Sequence, residues 1–281
     1  MVVESVRKIK QSYIKTVVKK ALKEDLMPRG DITTNLINSK NKIVKARIIA
    51  KQDGMIAGLA FCKAAFKSIG KETVFIGKVS DGKKIKKKKV IAVIRAKIKT
   101  ILTAERTALN FLNHASGIAT STNQFVNKID KKTKICCTRK TTPNLRALEK
   151  YAVRKGGGHN HRYNLSDEIL IKENHISASK GLRDLIKKAI KSNKIVTVEI
   201  ENINQLKQVI GLKFKRILFD NMSVQQLKRC LRLCKNKYQT EYSGNVSLKN
   251  IKQISKTGID RISVGAITHS AKSFDATLLF K

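Results

Sequence analysis

Residues 136–176 read CCTRKTTPNLRALEKYAVRKGGGHNHRYNLSDEILIKENHI, and this stretch decides how the rest of the chain is read. Arg139, Lys140, His161, Arg162 and Lys172 crowd into it beside apolar, strand-like runs and a triple-glycine turn. Cations gathered at the ends of elements, rather than along a helix face, predict a pocket for something polyanionic. Locally the pattern is a strand over 135–138, a helix over 143–155 and a strand over 168–172. Thr142 reads as an N-cap with Pro143 in the first turn, and Gly156–158 as the end of that helix, with a phosphate nest as the other reading.

The alternation continues outward. Further strands are expected at 195–200, 216–219, 239–242 and 261–264, with helical pattern at 182–191, 203–209, 224–234 and 247–255. Repeated β-α units of this length imply a parallel sheet with right-handed crossovers. Periodicity alone allows either a closed barrel or an open doubly wound sheet. Polar or glycine-rich groups follow each strand in turn: Thr138-Arg139-Lys140, Lys172, Glu201, Asp220-Asn221, Ser243-Gly244-Asn245 and Gly265-Ala266. The C-terminal strand ends form the ligand face in both architectures. Six such groups in register therefore predict a site.

Its chemistry is readable too. Arg139, Arg162, His161 and Lys172 suit two carboxylates, since arginine grips carboxylate with a fork that lysine lacks, and Lys140 suits a pyrophosphate. Glu199 and Glu201, two apart in a strand, are expected on one face. Glu201 and Asp220 would be costly unpaired, so salt bridges or a divalent ion must compensate them. The segments Ser243-Gly244-Asn245 and Val264-Gly265-Ala266 lie between strand and helical pattern, where backbone N–H groups bind phosphate. His269 lies one turn on, as a further contact or merely a cap.

The first hundred residues read as α+β. A helix spans 12–26, with Ile14, Val17, Val18, Ala21 and Leu22 on one face, and Asp31 to Asn35 follows as a turn. Strands are expected at 43–50, 74–79 and 90–98, a helix at 59–69, and a hairpin turn at Asp81-Gly82. A long helical pattern starts at Thr100 and breaks near Ser116-Gly117. Arg106 on this helix reads as a surface residue, a salt-bridge partner of Glu105, or a functional group.

The composition bounds the rest. With 281 residues, 41% of them hydrophobic, the chain is globular rather than disordered. The net charge of +40 raises nucleic acid as a partner, but the lysines are spread along the chain apart from one run at 83–89, KKIKKKK. No zinc-finger or RNP-like pattern would supply base contacts, so a solvated lysine-biased surface is preferred. The five cysteines include no CxxC and read as reduced, buried thiols. The opening MVVESVRKIKQSY has no apolar signal core and no run is long enough to cross a membrane, which makes a cytoplasmic protein the expectation.

The motifs also carry a resemblance. GDITT, ERTALN…SGIAT, TRKTTP, GGGHNHR, LIKENH, VEIEN, LFDNM, SGN and SVGAITHS occur in the order seen in the quinolinate phosphoribosyltransferase family, and cover essentially the whole chain. The resemblance implies an N-terminal α+β sandwich domain over 1–112, to which the tail 270–281 returns, and an α/β-barrel over 113–269. It implies transfer of phosphoribose from phosphoribosyl pyrophosphate to quinolinate with Mg²⁺ and loss of CO2, a step of NAD biosynthesis. It implies Lys140, Glu201 and Asp220 as catalytic, the two acids also as magnesium ligands, and Arg106, Thr138, Arg139, His161, Arg162 and Lys172 as substrate contacts. Ser243, Gly244, Asn245, Val264, Gly265, Ala266 and His269 would bind phosphate. A homodimer, or a hexamer built of dimers, is implied, with Arg106 completing the partner's site. Two positions depart from the family pattern: Asn245 replaces a glycine, and His159 stands where a small or aliphatic residue is usual. The alternatives are a sister enzyme associated with molybdate transport, and a basic polyanion-binding protein on the same fold.

Overall fold

The computed structural model describes residues 9–281; the first eight residues of the opening read above lie outside the described residues. In chain order the elements are α1 (Gln11–Leu26), α2 (Ile32–Asn35), β1 (Ile43–Ala50), β2 (Gly54–Met55), α3 (Leu59–Ile69), β3 (Val74–Gly77), β4 (Lys84–Ile85), β5 (Val90–Lys97) and α4 (Ile98–Val126). Then come β6 (Lys134–Cys136), α5 (Arg146–Lys155), β7 (Ile169–Ile171), α6 (Glu173–Ser177), α7 (Leu182–Ile190), β8 (Val196–Ile200) and α8 (Ile203–Val209). The last are β9 (Arg216–Asp220), α9 (Val224–Cys234), β10 (Gln239–Ser243), α10 (Ile251–Ser255), β11 (Arg261–Ser263), α11 (Ala266–His269) and β12 (Ala276–Phe280). These fall into two compact units. One takes the described residues up to Asn123 with Thr142–Gly157 and Ser270–Lys281; the other takes Gln124–Thr141 and Gly158–His269.

The first unit is built on an antiparallel sheet of order β12-β1-β5-β3. Ala46, Ile48 and Ala50 of β1 are buried while Lys45 and Arg47 alternate with them, as a half-buried strand requires. Ile14, Val18 and Leu22 form the buried stripe of α1, and Phe61, Cys62, Ala65 and Phe66 that of α3. The expected turn at Asp31 is a single helical turn, α2, capped by the Asp31 carboxylate, which accepts from Thr34 N at 2.9 Å. Asp81-Gly82 is not a tight hairpin: the link from β3 to β5 contains β4, which pairs with β2. The Asp81 carboxylate instead accepts from the N–H groups of Gly58 and Leu59 at the start of α3 and from Tyr151 Oη at 2.8 Å. The break expected near Ser116-Gly117 is absent, and α4 runs unbroken through it. Gly117 is needed there because a Cβ would collide with the Lys272 carbonyl.

Helix α5 starts at Arg146, three residues later than expected, because Asn144 sits at φ 64° and cannot join a right-handed helix. Thr142 is therefore not its N-cap; Thr142 N donates to the buried carboxylate of Glu149. The helix does end at Gly156, with Gly157 at φ 90°.

The second unit holds six parallel strands in the order β6-β11-β10-β9-β8-β7. From β7 to β11 chain neighbours are sheet neighbours, and the first strand, β6, lies beside the last, β11. That is the cyclic order of an α/β barrel, not the reversal of a doubly wound sheet. No ladder joins β6 to β7; β6 bridges to His159 on its other side. All five cysteines are buried, and no helix among the described residues is long and apolar enough to cross a membrane.

Candidate active site

The strand registers bring alternate residues of the parallel sheet into layers. Glu199 pairs with Leu218, which pairs with Glu241, which pairs with Arg261; one step nearer the C-terminal ends, Asp220 pairs with Ser243. Above the inner layer opens a cavity of about 830 Å³. Its walls include Thr138, Arg139, Lys140, His161, Arg162, Lys172, Asp220, Ser243, Gly244, Asn245, Gly265, Ala266 and His269, each expected from sequence. Glu199, Asn221, Glu241 and Ser263 also line it.

Three expected residues do not. Glu201 lies just past β8, is exposed and stands outside the lining; it is Glu199 that faces the cavity. Strand β8 ends at Ile200, so Glu201 lies one residue beyond its regular alternation. Val264 is buried, and its N–H donates to the Cys136 carbonyl at 2.9 Å, so that donor is spent in the sheet. Arg106 belongs to the other unit, where it is exposed on α4, with no ion pair to Glu105 among the described residues. His159, a departure from the family pattern, is likewise outside the lining.

The cations are arranged to stay available. Arg162 Nη1 donates to the Glu168 carbonyl, a neutral partner, at 3.1 Å. Burial and then the nearby Arg139 hold the Arg162 guanidinium below its usual range. Arg139 Nε is buried and has no hydrogen-bond partner among the described residues. Among the described residues no carboxylate forms an ion pair with Arg139, Lys140 or Arg162. Lys172 is the exception, 2.8 Å from Glu199 Oε2. Two adjacent guanidiniums, one with an orphaned buried donor, demand an anionic ligand.

The late strand ends are shaped by backbone. Gly244 adopts φ 102°, and a Cβ there would run into the Asn221 side chain. Asn245 takes the left-handed φ of 46°, which asparagine tolerates, so the loop keeps its shape despite the missing glycine. Its Nδ2 donates to Asn221 Oδ1 at 3.3 Å. Helix α10 starts only at Ile251, so this loop is not a helix N-terminus as expected. Gly265, in contrast, directly precedes α11, and a Cβ there would crowd His269 and the Lys140 side chain at 3.1 and 3.2 Å.

Glu201 and Asp220 suit magnesium, which takes hard oxygen ligands and keeps several waters. Burial and then its negative neighbours Glu173, Glu199 and Asp220 raise the Glu201 carboxyl above its ordinary range, a repulsion that a divalent cation would relieve. Asp220 is oriented by the Ser243 hydroxyl and by Asn221 Nδ2. Among the described residues no three metal-ligating side chains converge, so the protein would supply few ligands.

The fold and cavity define an α/β-barrel protein with a cationic strand-end site. Two family models match, quinolinate phosphoribosyl transferase N-terminal domain over residues 31–116 and C-terminal domain over 118–279. The chain is 39% identical over 253 residues to a Bacillus subtilis (strain 168) protein called "Probable nicotinate-nucleotide pyrophosphorylase (carboxylating)", covering 89% of this chain and 87% of that one. It is 36% identical over 286 residues to quinolinate phosphoribosyltransferase (decarboxylating) 2b, mitochondrial, of Nicotiana tabacum, covering 94% and 81%. Among solved structures, the nicotinate-nucleotide pyrophosphorylase of Francisella tularensis superposes with a TM-score of 0.95 at 37% identity, covering 99% of both chains. The chain belongs to the quinolinate phosphoribosyltransferase family. These names support the main reading of the sequence and not its alternatives.

Proposed function

We propose that this protein transfers phosphoribose from phosphoribosyl pyrophosphate to the ring nitrogen of quinolinate, giving nicotinate mononucleotide, pyrophosphate and CO2. The observation that carries this is the cluster of Arg139, Arg162 and Lys140, cations left without carboxylate partners in a cavity whose opposite strand ends are glycine-rich. Arg139, Arg162 and Lys172, with the Thr138 loop, hold the two carboxylates so that the ring nitrogen faces the sugar carbon, which is catalysis by positioning. Lys140 neutralises the departing pyrophosphate. Ser243, Gly244, Asn245, Gly265, Ala266 and His269 hold phosphate groups. Asp220 and Glu201 would hold magnesium, which would supply charge neutralisation to the pyrophosphate. Asp220 and Glu201 also stabilise the positive charge that develops on the ribosyl carbon as the bond to pyrophosphate breaks.

The nitrogen lone pair then forms the new bond to that carbon. The resulting ring cation accepts the electron pair of the adjacent carboxylate's carbon–carbon bond, CO2 departs, and a proton from water takes its place. Arg106 completes the site of a second subunit in a homodimer. A cytoplasmic setting, which keeps the five buried thiols reduced, is part of the proposal.

Purified protein mixed with quinolinate, phosphoribosyl pyrophosphate and Mg²⁺ should form nicotinate mononucleotide, and nicotinate in place of quinolinate should not. A folded protein inactive with quinolinate would refute the proposal.

A further inference from the structure

We propose that Glu241 is a positioning residue of the dicarboxylate site, tying down both the backbone and the guanidinium of Arg162 through a closed ring of buried contacts. This rests on the reading of the cavity as a quinolinate site. One arm runs through His161. Its Nε2 lies 3.4 Å from Glu241 Oε1, an electrostatic contact rather than an aligned hydrogen bond. Its Nδ1 accepts the Arg162 backbone N–H at 2.7 Å. A nitrogen that accepts carries no proton, so in the neutral ring the proton is on Nε2 and faces the carboxylate.

The other arm runs through Arg216. Its Nε donates to Gln239 Oε1 at 2.8 Å and lies 3.6 Å from Glu241 Oε2, an electrostatic contact, and its Nη1 is 3.0 Å from Glu168 Oε2. The carbonyl of the same Glu168 accepts from Arg162 Nη1 at 3.1 Å. The ring thus leaves Glu241 and meets again on Arg162.

Two consequences make this more than core packing. Both contacts that reach Arg162 are electrically neutral, an imidazole lone pair and a carbonyl, so the guanidinium is oriented without being neutralised. And both nitrogens of His161 face the protein interior, so His161 acts on the substrate through Arg162 instead of donating to it. Glu241 itself is fully buried, and Arg261 Nε at 2.9 Å and the Ser263 hydroxyl occupy it further. Burial would raise its carboxyl, yet the cations Arg261 and Arg216 and the Ser263 hydroxyl hold it below its ordinary range, so it stays ionised. Around His161, burial and the cations Arg216 and Arg261 outweigh Glu241 and Glu168 and keep the ring neutral.

Glu241→Gln keeps the shape and removes the charge. The KM for quinolinate should rise about tenfold or more, as for a misplaced positioning group, while that for phosphoribosyl pyrophosphate moves by less than about twofold. Glu168→Gln, a milder cut in the other arm, should shift the same constant in the same direction. Independently of either variant, ¹⁵N spectra of the wild type should show His161 with its proton on Nε2. The chain has only five histidines, so a His161→Asn sample assigns the signal. An unchanged quinolinate KM in a folded Glu241→Gln protein, or a proton on Nδ1, would overturn the inference. Wild-type protein that does not use quinolinate would instead refute the proposed function, and the tautomer would still be readable.

Discussion

The cationic part of the cavity and its glycine-rich part are built by opposite means. The first is made of side chains anchored below the strand ends: Arg162 on the Glu168 carbonyl, Lys172 on Glu199, His161 over Glu241. The second is made of backbone: Gly244 at φ 102° against Asn221, Asn245 at φ 46°, and Gly265 against His269 and Lys140. A charge-built site is sensitive to the chemistry of each head group. A backbone-built site is sensitive to φ and to volume, and indifferent to side chains that meet both conditions. Asn245 is such a tolerated side chain.

The comparison can be tested by substitution. Lys140→Ala removes the cation between the two parts, and its kcat should fall by about 10²–10³, in the range of a lost charge-stabilising donor. A loss appearing only in KM would assign Lys140 to binding and not to the departing pyrophosphate. Arg162→Lys keeps the charge but not the fork. Losing one charge-assisted hydrogen bond, about 1.5–3 kcal/mol, should raise the KM for quinolinate roughly ten- to hundredfold. An equal rise for phosphoribosyl pyrophosphate would erase the division between the two parts. Asn245→Gly should change least, less than about threefold in either KM, because glycine adopts the same φ freely. A larger change would mean that the Asn245 side chain itself contacts a substrate.

The order of elements was legible because β-α alternation leaves two distinct periods in the sequence, and the parallel strands were placed to within two residues. What escaped was what happens beyond the regular pattern. The left-handed Asn144 delays α5, and Asp81, read as a turn residue, spends its carboxylate on α3 and Tyr151. Most of the cavity lining was legible as polar groups following strands. Glu241 was not, since it lies inside a strand and its ring partners are distant in sequence.

A signal was nonetheless there: Thr197 and Glu199, Gln239, Glu241 and Ser243, Arg261 and Ser263 are polar at every second position in their strands, and Arg216 and Asp220 continue the series on β9 with Leu218 between them as the exception. Such a period-two series announces a polar barrel interior. Two strand-end residues expected at the site, Glu201 and Val264, lie outside the cavity lining, because one residue past a strand the alternation no longer says where a group points.

The pairing of β12 with β1 bears on how the chain comes off the ribosome. Strand β1, encoded early, keeps an open edge until residues 276–280 have been synthesised, because Ala46 to Ala50 find their second partner only in Ala276 to Phe280. At typical elongation rates of about 5–20 residues per second, more than two hundred intervening residues keep that edge waiting for over ten seconds. The nascent sheet must therefore pass through a period with an unpaired strand, and Lys45 and Arg47 set charge along it, the device by which exposed edges resist sticking to one another.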